Sequence, residues 1–167
     1  MKKPLVSVIT VVYNGATYLE ETIQSVLGQS YGNKEYIIID GGSTDGTVDI
    51  IRRYADRLAY WVSEPDRGMY DAINKGIRKA NGELWTSLNA DDRMVDERVI
   101  SRVVNVYQND KSEAGAYFGN IIKEKNGERR YIRLFDLNHG VLHASGHCTF
   151  MPQPATFVRK TTSDEIG

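Results

Sequence analysis

The sequence predicts an α/β fold: a mostly parallel central sheet flanked by helices, with a β-hairpin region near the C-terminus. Two observations carry this. Runs rich in β-branched residues alternate with segments whose apolar residues recur every three or four positions. After residue 114 the pattern changes to strand, Asn-Gly turn, strand. The 167 residues fit one ordinary domain, and 41% hydrophobic residues suffice for one core.

Leu5–Tyr13 reads as the first strand, buried on both faces. Asn14-Gly15 breaks it, and Leu19, Ile23, Val26 and Leu27 form one helical stripe. Glu35–Asp40 is the second strand. Ser43-Thr44-Asp45 offers N-cap side chains for a helix with the stripe Val48, Ile51, Ala55 and Leu58. Leu58–Val62 is a short third strand. After the Asp66-Arg67-Gly68 loop, Tyr70, Ile73, Ile77 and Ala80 mark the next buried helix face. Asn81-Gly82 is expected to end that helix, its glycine in left-handed geometry. Glu83–Leu88 is the fourth strand. Ile100, Val103, Val104 and Tyr107 mark a helix starting near Asp96. Ala116–Glu124 and Arg129–Leu134 form the hairpin around Asn126-Gly127. Residues 136–154 read as irregular, and Thr156–Lys160 as a last strand.

The 21 basic and 22 acidic residues balance to a net charge of -1, which gives no electrostatic reason to expect nucleic-acid binding. Cys148 is the single cysteine, so no intrachain disulfide forms and a reducing, cytoplasmic compartment is expected. Leu5–Ile9 after Met1-Lys2-Lys3-Pro4 reads as a strand rather than a signal peptide. No stretch approaches the roughly 20 apolar residues of a membrane span. The expectation is a soluble protein, at most attached to the inner face of a membrane.

In open α/β sheets, ligands bind outside the carboxyl ends of the strands. Four predicted strand ends carry polar groups: Tyr13-Asn14, Asp40-Gly41-Gly42, Glu64-Pro65-Asp66-Arg67 and Asn89-Ala90-Asp91-Asp92. Asp91 and Asp92 end an apolar run as adjacent carboxylates, costly to bury unpaired. Their hard oxygens suit Mg²⁺ or Mn²⁺. The first βα turn has one glycine and no G-x-G-x-x-G or P-loop, so bound phosphates would depend mainly on a metal. Asp40 can accept hydrogen bonds from a ribose hydroxyl or a base N–H, with Gly41-Gly42 allowing close approach. Equally, it can cap its own turn. On the helix after Gly68, Asp71, Asn74, Lys75 and Arg78 share a polar face. Asp71 and Asn74, near the Asp66 loop, are candidate ligand contacts, whereas Lys75 and Arg78 fit a solvated face. His139, His143 and His147 are four residues apart but lie among glycines, and read as loop histidines. Cys148 has no basic activator nearby and reads as a small buried residue.

Residues 5–92 resemble the family-2 inverting glycosyltransferases and their GT-A nucleotide-sugar-binding domain. The likeness rests on four ordered blocks. These are Val6–Asn14, Ile39–Thr47, Glu64–Gly76, and Ala80–Glu83 with Leu88–Asp92. A weaker likeness runs through Pro154–Arg159 to Gly167. The resemblance implies one GT-A-like domain over 1–167, with a nucleotide-binding half at 1–92 and a partial acceptor-side half at 93–167. It implies a UDP- or GDP-sugar donor, with Val11, Tyr13, Asn14, Asp40, Asp66, Arg67, Asp71, Asn74, Asn89 and Asp91 in the nucleotide-sugar site. Tyr13 matches a position near the base, and Asp40 the acid that contacts it. Asp91 and Asp92 match the end of the D-x-D region that binds ribose and the Mg²⁺ or Mn²⁺ of the diphosphate. Asn89 stands where that motif has its first Asp, keeping an oxygen ligand and losing a charge.

The resemblance further implies a glycan or lipid-linked acceptor, inversion of the anomeric centre, and a carboxylate general base. That base is expected beyond Gly167, so Asp164 and Glu165 are not assigned to it. A seam left by absent C-terminal structure would favour homo-oligomers. Two other readings compete. A sugar nucleotidyltransferase would have a glycine- and arginine-rich loop after the first strand, unlike Tyr13-Asn14-Gly15-Ala16. A nucleotide-binding or interaction fragment would lack turnover.

Overall fold

The computed structural model describes residues 2–132 and 153–166. Strand β1 (Val6–Val12) is buried at all seven positions because it lies in the sheet interior. It pairs in parallel with β2 (Lys34–Asp40) on one side and β4 (Leu84–Asn89) on the other. β3 (Tyr60–Ser63) joins β2, also in parallel. Beyond β4 the direction reverses: β8 (Thr156–Arg159) runs antiparallel to β4, and β5 (Ala116–Phe118) runs antiparallel to β8. The order is β3-β2-β1-β4-β8-β5, a mostly parallel sheet.

Alternation along β1 divides the core. Val6, Val8 and Val12 face a cluster with α1 (Leu19–Leu27), α2 (Thr47–Arg53) and α4 (Val99–Asn109), which contribute Ile23, Ile51 and Ile100. Ile9 and Val11 face the opposite layer, with Ala72 and Ile73 of α3 (Met69–Lys79). Burying such β-branched residues on both sheet faces is what a parallel interior strand requires. α5 (Lys160–Ile166) covers β4 from this second side, where Trp85 Nε1 donates to Ser163 Oγ at 3.2 Å.

Several boundaries differ from the sequence expectation. The expected strand 116–124 is two strands. β5 pairs with β8 only as far as Phe118↔Thr156. A short 3-10 turn, Gln153–Ala155, precedes β8, and Gly119 N–H donates to Ala155 O at 2.9 Å as the chain leaves the sheet. The remainder becomes β6 (Ile121–Lys125), paired with β7 (Glu128–Ile132) as a separate hairpin. Its turn residues Asn126 and Gly127 have φ of 52° and 79°, as a two-residue primed turn requires. The expected third strand starts later, at Tyr60, because Ala55–Arg57 forms a 3-10 turn.

Gly82 is not a left-handed cap; the helix ends at Ala80 in extended geometry. Glycine is needed there for close approach, since a Cβ would lie 2.5 Å from Ser7 Oγ and 2.7 Å from Ser7 N. His139, His143, His147 and Cys148 lie outside the described residues. Among the described residues, no helix is long and apolar enough to cross a membrane.

Helix α3 reaches β1 through Gly76, where a Cβ would run into Ile9 Cγ2. Overpacking costs about 1–3 kcal/mol, and alanine's better helix propensity recovers up to about 1 kcal/mol. Gly76→Ala is therefore expected to lose about 1–2 kcal/mol in urea unfolding. Gly32→Ala, with no atom within 4 Å of the new methyl, is expected to stay within about 0.5 kcal/mol of the parent.

Candidate functional site

The parallel register gathers four strand ends on one edge. Val12 pairs with Asp40, Asp40 with Ser63, and Val11 with Asn89. The loops following β1, β2, β3 and β4 therefore lie side by side, each where an apolar run gives way to polar residues.

Asp40 is fully buried. Its Oδ2 accepts from Gly42 N–H at 3.2 Å, Ser43 N–H at 3.0 Å and Ser63 Oγ at 2.6 Å. Its Oδ1 accepts from Ser43 Oγ. A carboxylate offers about four acceptor sites, and here they bind the β2–α2 turn and the end of β3 together. The hydrogen bonds thus draw the turn-capping alternative for Asp40. Glycine at 42 is required by its φ of 86°.

The β1–α1 loop is clasped to this turn. Asn14, at φ 51°, donates its N–H to Ser43 Oγ at 2.7 Å and accepts Thr44 N–H on Oδ1 at 2.9 Å. Gly15 N–H donates to Thr47 Oγ1 at 2.9 Å, and Ala16 N–H to Asp45 Oδ2 at 3.0 Å. Thr47 in turn donates to Asp45 Oδ1 from both its N–H and its hydroxyl. These bonds hold the Asp45 carboxyl below its usual range, chiefly the one from Thr47.

Above the clasp, Asp66 packs closely over Gly41. A Cβ on Gly41 would sit 2.6 Å from Asp66 Oδ2 and 3.4 Å from Tyr13 Cδ2. Glycine thus lets the Asp66 carboxylate approach the backbone closely, beside the Tyr13 ring, which is 68% exposed. Asp66 Oδ1 accepts Gly68 N–H at 2.7 Å, which orients the side chain. Behind it, Asp71 accepts Arg67 N–H at 3.2 Å, and this bond is the main cause of its lowered pKa. Lys75 lies 2.9 Å from Glu64 and 3.7 Å from Asp71, and donates to Pro65 O at 3.3 Å. The lysine braces the loop.

After β4, Asp92 N–H donates to Asn89 O at 3.1 Å, forming a tight turn. Buried Thr22 of α1 fixes that turn, with Oγ1 2.7 Å from both Ala90 O and Asp92 O. Burial, then the charge of Asp91, raises the Asp92 pKa, while an Asn89 side-chain hydrogen bond lowers it. Arg93 does not neutralise the pair. Its guanidinium lies 3.0 Å from Glu21 and 2.9 Å from Glu124. Glu20 and Glu21 occupy the first turn of α1, so that helix start does not favour phosphate.

The hard oxygens of Asp91, Asp92 and Asn89 fit Mg²⁺ or Mn²⁺. Among the described residues, no group of three or more His, Cys, Asp or Glu gathers as a metal site.

Of the sequence-predicted residues, Tyr13, Asp66, Asn89, Asp91 and Asp92 lie at or just beyond the strand ends on this edge. Asn14 and Asp40 lie there too, with side chains engaged in the loops. Arg67 and Asn74 are exposed, on the β3–α3 loop and on α3. Val11 is 6% exposed and packs in the core with Ile9 and Ile39, so its side chain faces α3 instead of the edge. Sequence reading missed Thr22, Thr47 and Ser63. Ser63 carried a signal: it ends β3 in register with Asp40.

An open, mostly parallel sheet with polar and acidic strand ends gathered on its carboxyl edge is the arrangement of α/β proteins that bind ligands outside those ends. The family model described as glycosyl transferase family 2 matches residues 7–160, and the chain belongs to that family, with a GT-A-like fold. An uncharacterised glycosyltransferase of Rickettsia typhi is 32% identical over 176 residues, covering 97% of this chain and 54% of that protein. The mannosyltransferase PcManGT from Pyrobaculum calidifontis, solved with GDP-Man and Mn²⁺, is 32% identical at a TM-score of 0.62. The match covers 70% of this chain and 35% of that one. Staphylococcus aureus TarS, solved with UDP-GlcNAc, shares the fold at a TM-score of 0.74 and 19% identity, over 96% of this chain and 47% of that one. The chain spans about half or less of the length of these proteins.

Thr47→Val keeps the shape of a buried side chain but removes the acceptor for Gly15 N–H. The expected cost is about 1–3 kcal/mol in urea unfolding, the penalty for a donor left unmatched. Hydrogen exchange at Gly15 and Ala16 should accelerate as the clasp opens, with β1 unchanged.

Proposed function

We propose that this chain binds the nucleoside diphosphate of a UDP- or GDP-sugar and serves transfer of that sugar to a glycan or lipid-linked acceptor, with inversion. The observation that carries the reading is the Asp91–Asp92 pair, which no described residue meets in an ion pair, on the same strand edge as Tyr13 and Asp66. Support comes from the family match and from PcManGT, whose structure holds GDP-Man and Mn²⁺.

In this reading Tyr13 stacks on the base and Asp66 lies at the base edge. Asp40 and Asn14 keep the loops in register. Asp91 and Asp92 would hold Mg²⁺ or Mn²⁺, with Asn89 orienting Asp92. The bound ion would supply positive charge against the leaving diphosphate. Arg67, Asp71 and Asn74 line the approach from α3. The acceptor oxygen forms a bond to the anomeric carbon as the bond to the diphosphate oxygen breaks, and the hydroxyl proton passes to a general base. No described residue is proposed as that base. Residues 1–92 form the donor half, and 93–167 belong to the acceptor side. A lipid-linked acceptor would bring the protein to the inner membrane face.

Calorimetric titration of the chain with UDP and GDP, with and without Mn²⁺, tests the site. At least one nucleotide should bind in a Mn²⁺-dependent way, and the Asp91→Ala, Asp92→Ala double variant should lose at least about tenfold in affinity. No metal-dependent binding of either nucleotide would overturn the reading.

A further inference from the structure

Residues 90–98 join β4 to α4 and carry Asp91 and Asp92. Three polar side chains hold this loop along α1: Thr22 and Ser25 on the helix, and Gln29 just past its end. Their spacing of three and four keeps them on one side. Thr22 Oγ1 lies 2.7 Å from both Ala90 O and Asp92 O, with one proton to share between them. Ser25 Oγ accepts Met94 N–H at 3.1 Å and donates to Thr22 O at 2.8 Å. Gln29 Nε2 donates to Asp96 O at 2.6 Å and to Ser25 O at 3.1 Å, and its Oε1 accepts Ile100 N–H at 3.1 Å. The loop backbone is thus bonded at every second residue: Ala90, Asp92, Met94 and Asp96. The side chains alternate accordingly. Asp91, Arg93 and Val95 are exposed, while Asp92, Met94 and Asp96 are half-buried. The register of the loop on α1 therefore decides which acid faces outward.

Thr22 and Gln29 are buried polar groups, which cost free energy unless bonded, and what they bond is this loop. The contact at Thr22 falls on particular peptide units. Ala90 O belongs to the unit before Asp91, and Asp92 O to the unit after Asp92. Each unit is planar, so holding both fixes the directions in which the two carboxylates leave the backbone. Gln29, by contrast, acts on Asp96 and the start of α4.

We propose that Thr22, with Ser25 behind it, is a positioning residue for the cation: it fixes the Asp91–Asp92 turn so that both acids are already placed when Mg²⁺ or Mn²⁺ binds. The assignment rests on the donor-site reading above and adds α1 as the source of the acids' geometry. Residues that hold metal ligands in place through hydrogen bonds contribute to affinity without touching the ion.

The test is calorimetric titration of the full chain with UDP and GDP, each with and without Mn²⁺. Thr22→Val keeps the side-chain shape and removes the hydroxyl. It should weaken Mn²⁺-dependent binding at least about tenfold, the low end of what such partners contribute, and leave metal-free binding as in the parent. Thr22→Ser restores the hydroxyl and should restore the parent's Mn²⁺ dependence. Thr86, buried on β4 and donating to Thr156 O at 2.7 Å, supplies the control. Thr86→Val loses a comparable buried bond and should lower stability in urea with the Mn²⁺ dependence unchanged. Circular dichroism establishes folding; if Thr22→Val does not fold, Ser25→Ala, which removes the acceptor for Met94 N–H, is read in its place. Parent-like Mn²⁺ dependence in the folded variant, or an equal loss in Thr86→Val, would overturn the assignment and leave the donor site standing. A parent that binds neither nucleotide in a Mn²⁺-dependent way would overturn the donor-site reading itself.

Discussion

The buried carboxylate of Asp40 is the constraint on which the carboxyl edge of this sheet depends. It ends β2 and accepts from two backbone amides of the following turn and from two serine hydroxyls, one of them at the end of β3. A buried donor without an acceptor costs about 1–3 kcal/mol, so one side chain keeps several groups satisfied at once. The turn it fixes presents Ser43 and Thr44 to Asn14, and the β1 loop is built on that contact. The close packing over Gly41 is a consequence: Tyr13 and Asp66 come from the loops after β1 and β3, which the Asp40 turn joins.

The edge combines this carboxylate with two that no described cation pairs. Asp91 and Asp92 stand together while nearby cations are engaged elsewhere, Arg93 with Glu21 and Glu124, Lys75 with Glu64. Folding alone gives no reason to hold two carboxylates together in a partly buried turn, where burial and mutual repulsion both oppose charge. In the proposed function a bound cation would offset both. Thr22 is the structural counterpart, pinning the carbonyls of the same turn so that the acids keep their place.

The sheet was legible where its signal was local. β1 reads as a strand buried on both faces from Val6-Ser7-Val8-Ile9-Thr10-Val11-Val12 alone, and the acidic strand ends place the site by the general rule for open sheets. The hairpin turn at Asn126-Gly127 was legible for the same reason. What escaped was non-local. Thr156–Arg159 is too short to announce that it reverses direction, and the break at Gly119 follows from where β8 ceases to offer a partner. Gly82 resembled a helix cap in sequence, yet its reason lies 75 residues away at Ser7. In sequence Asp40 fits both capping and ligand contact, and Ser63, the partner that ties it to β3, lies on another strand. Family resemblance puts Val11 in the site, and the two-residue alternation of β1 turns its side chain into the core while its backbone pairs with Asn89 at the edge.

The central claim is that Asp40 organises the edge through its four protein donors. Urea unfolding of Asp40→Asn tests it most directly, because the amide puts a donor where the protein already presents donors. The account predicts a loss of about 2–4 kcal/mol, from mismatched buried polar groups, together with faster hydrogen exchange at Gly42 and Ser43. A variant that unfolds at the parent's urea concentration and loses only nucleotide affinity would contradict it. That result would make Asp40 a ligand contact first and a structural group second.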